Sequence, residues 1–87
     1  MAYGKPKITG AMPYKYCADD AQWIDSQLAM LEPGLRAQVA MAYAKAYVQE
    51  EQLHDIEYQK TGAARFAANT RLRKFINKKI AESIKVV

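Results

Sequence analysis

The chain has 87 residues, room for one domain with one modest core, and about half of them are apolar, which excludes a disordered chain. It carries 13 Lys and Arg against 9 Asp and Glu, a formal charge of +4, and its single cysteine, Cys17, excludes an internal disulfide and points to a reducing cytoplasm. No apolar run reaches the roughly 20 residues of a membrane span, and the opening "MAYGKPKITG" lacks a signal peptide's apolar centre, so no membrane partner is expected.

The charge is unevenly placed. Residues 1–16 hold Lys5, Lys7 and Lys15 and no acid; residues 17–60 hold eight acids against Arg36, Lys45 and Lys60; residues 61–87 hold seven bases against Glu82. A basic end implies either an acidic partner or neutralisation by the acidic middle.

In chain order, residues 1–13 mix glycine, proline and lysine without apolar period and predict a mobile basic arm. Tyr14 and Tyr16 then begin a single helical domain, residues 14–87, by packing on it. "ADDAQWIDSQLAML" predicts a first helix over about residues 19–31, with Asp19 or Asp20 as its cap and Trp23, Ile24, Gln27, Leu28 and Leu31 at helical spacing. "EPG" stops it, and Pro33 suits the first turn of the next helix.

A long central helix is expected over about residues 33–58. Leu35, Val39, Ala42, Tyr43, Ala46 and Leu53 form its main stripe, and Ala42 and Ala46 are small enough to let another helix come close. A weaker second stripe, Ala37, Met41, Ala44 and Val48, lies on another side and is a candidate contact with a second subunit or a partner protein. Of the tyrosines, Tyr43 is assigned to the core, and Tyr47 is either a dimer contact or a rim residue.

"QKTG" predicts the next break, with Thr61 as cap and Gly62 as the permissive backbone, and a last helix over about residues 63–84. No strand-like alternation survives, so the expected fold is all-α: a small three-helix bundle with a long central helix.

On the last helix Phe66, Leu72, Phe75, Ile76, Ile80 and Ile84 share about half the circumference and predict a core face. Arg71, Lys74, Lys78 and Lys85 share an arc of about 60° on the far side. Such a row either follows phosphates in a salt-dependent, sequence-indifferent way or is the solvated face of a bundle. A hairpin about Gly62 would set Glu50 level with Lys74 and Leu53 level with Arg71, so Glu50, Glu51 or Asp55 would neutralise part of the row. Asn69, on the apolar side, needs a hydrogen-bond partner, and an interhelical bond that fixes register is the expected one.

Catalytic signatures are missing. His54 and Cys17 are far apart and in no metal-ligand spacing, and Asp19 with Asp20 reads as a helix start rather than a metal pair. Without a nucleophile, base and orienting group together, no enzymatic activity, cofactor, metal or small-molecule substrate is expected.

The stretches "LRAQVAMAYAKAY" (residues 35–47) and "ARFAANTRLRKFI" (residues 64–76) resemble small helical proteins encoded by bacteriophages and prophages. The resemblance implies a bacterial cytoplasmic setting and an accessory role in phage replication, recombination or host takeover. It carries no catalytic residue, and no helix–turn–helix is readable. Two functional expectations follow. One is a non-enzymatic protein-interaction module, a homodimer through the central helix or a binder of a host or phage protein. The other is a nucleic-acid-binding accessory protein using Arg71, Lys74, Lys78 and Lys85.

Overall fold

The computed structural model describes residues 8–84. Among them every regular element is helical: a 3-10 turn at Ala18–Asp20, then α1 (Ala21–Leu28), α2 (Pro33–Gln52) and α3 (Glu57–Ile84). The expected small all-α bundle forms, with α2 packed along α3 and the shorter α1 against both.

The α1–α2 junction follows the sequence closely. After Leu28 the chain tightens, Met30 N–H donating to the Gln27 carbonyl (3.2 Å) and Leu31 N–H to that of Leu28 (3.0 Å). Glu32 is extended, as a residue before proline is driven to be, so the helix cannot run through it. Its carboxylate then accepts from Gly34 N–H (3.0 Å) and Leu35 N–H (2.9 Å), capping α2, while Pro33 occupies a position whose N–H would have no helical partner anyway.

The second break lies elsewhere than expected. α2 ends at Gln52 and α3 begins at Glu57, so the turn is Leu53–Ile56 and Thr61 and Gly62 lie inside α3. No described glycine has a positive φ, and a Cβ on Gly62 would meet nothing within 4 Å. An interior helical glycine costs only about 1 kcal/mol relative to alanine, too little to stop a helix anchored by packing on either side. Charge explains the true position better. Glu50 and Glu51 oppose the negative end of the α2 dipole, whereas Asp55 and Glu57 favour the positive start of α3.

Moving the turn moves the register. Tyr43 on α2 now meets Asn69 on α3, and Glu50 and Glu51 find partners other than the last helix: His54 (3.2 Å) and Lys15 (3.7 Å) respectively. The expected neutralisation of Lys74 by Glu50 therefore does not occur.

The core is built on alanine more than on bulk. The α3 row Ala64, Ala68, Leu72 and Ile76, each four residues apart, packs on Ala40, Tyr43, Ala46 and Tyr47 of α2, with Ile24 and Leu28 of α1 closing one side. Tyr47 is a core residue, its ring stacked on Tyr43 at 6.3 Å between centroids. Phe66, expected in the core, is 74% exposed, because it lies about 200° from Ala64 on the helix and so points away from that row. Phe75 is half-buried and Ile80 exposed; the side chain of Ile84 lies outside those described.

Residues 8–13 do not form part of a free arm as expected. Residues 1–7 lie outside the described part, but Ile8–Cys17 lies along α2. Thr9 and Ala11 contact Arg36 near the start of that helix, and Lys15 pairs with Glu51 near its end. Pro13 is buried, and Met12, Tyr16 and Cys17 pack on the core, whereas Tyr14 points outward. Cα extents of 49 × 37 × 17 Å describe a flattened molecule.

Candidate docking groove

Two polar clasps fix the helices that shape the site. In the first, the Asp25 carboxylate of α1 accepts from the Arg36 guanidinium of α2 at 2.6 Å, with the two side chains only 9% and 8% exposed. Thr9 donates its N–H (3.1 Å) and hydroxyl (2.9 Å) to the same carboxylate oxygen. Arg36 donates onward to the Ala11 carbonyl (2.8 Å) and the Thr9 hydroxyl (3.1 Å). The Arg36 hydrogen bond, helped by Thr9 and opposed by burial, holds the Asp25 carboxyl below the usual carboxylate range.

The second clasp joins the 3-10 turn to α3. Asp20, expected as a cap, makes no side-chain cap; its carboxylate instead takes two hydrogen bonds from Arg65, both at 2.8 Å, and one from Asn69 Nδ2 at 3.2 Å. The Tyr43 hydroxyl donates to Asn69 Oδ1, so Asn69 does make the register-fixing interhelical bond expected of it. The Arg65 fork lowers the Asp20 pKa against an opposing effect of burial, with Asn69 assisting. Burial first, then the neighbouring Asp20 charge, raises the Tyr43 hydroxyl and keeps it neutral. Both clasps are fully partnered, and no buried side-chain nitrogen or oxygen among the described residues lacks a partner.

These clasps draw α1 and the N-terminal segment onto one side of the α2–α3 pair and leave a groove on another. The groove holds about 360 Å³ and is lined by Leu35, Val39 and Ala42 of α2 and Leu72, Phe75 and Arg71 of α3, with Gln38 at its edge. Leu35, Val39 and Phe75 are half-buried and Ala42 is exposed, so the lining is apolar surface still in contact with solvent. A second concavity of about 340 Å³ shares Leu35 and continues past Met30, Ile76 and Ile80 towards the end of the bundle.

Arg71 forms part of the groove wall, and Lys74 and Lys78 share its arc of α3 and are exposed. None of the three is in an ion pair among the described residues. The other described α3 cations are engaged: Lys60 by Glu57 (3.6 Å), Arg65 by Asp20, Lys79 by Glu82 (3.7 Å), and Arg73 over the Trp23 ring at 5.3 Å from its centroid. Lys85, also expected in the row, lies outside the described residues.

The candidate dimer stripe does not survive as one surface. Ala37 and Met41 are exposed and Val48 is half-buried, but Ala44 is 0% exposed. Residues 8–13, expected to belong to a mobile arm, run with Tyr14–Cys17 along this helix, tied to Arg36 and Glu51 at its two ends. What residue patterns missed is the groove itself. Leu35, Val39 and Ala42 were readable as apolar, but their exposure depends on an eight-residue α1 being too short to cover both sides of α2 and α3.

Among the described residues no three His, Cys, Asp or Glu side chains are placed to hold a metal ion, and no helix is long and apolar enough to cross a membrane. Comparison with protein-family models, curated proteins and solved structures finds no match for this chain, so nothing there links it to phage proteins.

Proposed function

We propose that this chain is a non-enzymatic protein-interaction module whose working face is the α2–α3 groove, acting in the bacterial cytoplasmic, phage-accessory setting that its resemblance implies. The observation that carries the reading is the groove: half-buried Leu35, Val39 and Phe75 around exposed Ala42, with none of the described chain laid over them. A concave apolar strip between two helices suits the apolar face of a third, anchored at i, i+3, i+4 and i+7. A dimer through Ala37, Met41, Ala44 and Val48 is not part of this reading, because Ala44 is already covered.

The row Arg71, Lys74 and Lys78 favours a second reading, a nucleic-acid-binding accessory protein tracking phosphates along α3. Sedimentation velocity separates the two, run with an amphipathic helical peptide and with a short mixed-sequence DNA duplex, at low and physiological salt. The interaction reading expects the peptide to co-sediment at both salts. Salt-sensitive co-sedimentation of the DNA, with the peptide left free, would replace it with the phosphate reading.

A further inference from the structure

We infer that the occupant of the α2–α3 groove is an acidic amphipathic helix of another protein, an inference that rests on the groove being a docking face. The groove lining contains no acid, and Arg71 stands in its wall. Lys74 and Lys78 continue from Arg71 at spacings of three and four, the spacings at which successive turns of a helix present side chains. A helix laid along α3 with its apolar face on Phe75, Val39 and Leu35 meets this row along one flank. Acids repeated every three or four residues on that flank would pair with it.

The chain's own acids disfavour a second copy as the occupant. Among the described residues, seven of its nine acids already have a partner: five a Lys or Arg, Glu50 the His54 ring and Glu32 the α2 cap, leaving Asp19 and Asp55. A two-fold pairing would also set the same surface against itself, bringing the row Arg71, Lys74 and Lys78 towards its own twin with little free acid to offset it. A nucleic acid would meet the cations but leave the apolar floor of Leu35, Val39 and Phe75 unused. An acidic amphipathic helix satisfies both halves of the site, the charge adding on-rate and selectivity to an apolar contact.

The test is fluorescence anisotropy with three labelled helical peptides of roughly four turns, sharing one apolar face and differing only in a polar face of Glu, Gln or Lys. The full chain should bind the Glu peptide about tenfold more tightly than the Gln peptide at low salt and the Lys peptide least, the gap closing as salt rises. The triple variant Arg71→Glu, Lys74→Glu, Lys78→Glu should reverse that order with its helical circular dichroism unchanged. The milder Lys74→Gln, Lys78→Gln pair should shrink the Glu preference if the triple variant fails to fold. Equal binding of the Glu and Gln peptides would overturn the acidic partner while leaving the groove as a docking face. Self-association of the chain that excludes every peptide, or displacement of the Glu peptide by a short DNA duplex, would also overturn it. Binding of none of the peptides would instead remove the groove reading itself.

Discussion

Asp25 and Arg36 are among the few charged side chains buried in this small core, and each is committed to the other. Removing one partner strands the other's charge in a place water scarcely reaches, so Arg36→Met should destabilise the fold by about 3 kcal/mol. Urea denaturation measures that loss, and hydrogen exchange should show Thr9 and Ala11 losing protection along with it. The carboxyls of Asp20 and Asp25 both titrate lower in the fold than in the unfolded chain, so they stabilise it above the ordinary carboxylate pKa of about 4. That contribution is lost as pH falls through this value towards the depressed folded ones. The urea midpoint should therefore drop as pH falls below the ordinary carboxylate pKa of about 4, and the Asp20→Asn, Asp25→Asn double variant should show a shallower drop. Identical pH profiles for the two proteins would mean these carboxylates are not the groups that set acid stability. Neither clasp is visible in the sequence, because each joins residues distant along the chain, Asp25 to Thr9 and Arg36, and Asp20 to Arg65 and Asn69. Only Asn69, an amide on an apolar side, signalled that a partner had to exist.

At the scale of helices, "EPG" was legible because proline and its preceding residue are restricted by their own sterics, whatever the tertiary surroundings. The Leu53–Ile56 turn was not, since "LHDI" contains neither glycine nor proline while Gly62 offered a false signal nearby. With Gly62 inside α3 and open space around its missing Cβ, Gly62→Ala should raise stability by about 0.5–1 kcal/mol. Thermal or urea denaturation reads this directly, and a destabilised variant would return the break to Gly62. The same distinction applies to α3's faces. Ile76→Ala should cost about 3 kcal/mol, whereas Phe66→Ser should change stability by no more than about 0.5 kcal/mol. The buried row was hard to see because Ala64 and Ala68 carry it, and a pattern weighted by bulk assigns Phe66 to the core in their place.

For the whole molecule, the all-α class was legible from periodicity and the absence of strand alternation, and the basic row from spacing alone. Which apolar side remains open was not legible, because it depends on the route of Ile8–Cys17 and the shortness of α1. Ala44 is fully buried, so Ala44→Glu should unfold the chain rather than dissociate an assembly, with lost helicity in circular dichroism distinguishing the two. The fold leaves exposed Ala42 and half-buried Leu35, Val39 and Phe75 beside a cationic row that makes no ion pair among the described residues, and the proposed function rests on that pairing of apolar floor and basic flank. The most direct measurement is a nuclear magnetic resonance titration of the isotope-labelled full chain with the acidic amphipathic peptide. Amide shifts concentrated at Leu35, Val39, Ala42, Arg71 and Phe75 are the expected result. Shifts concentrated instead at the exposed hairpin tip, Leu53, Ile56 and Tyr58, or on α1, would contradict the groove as the working face.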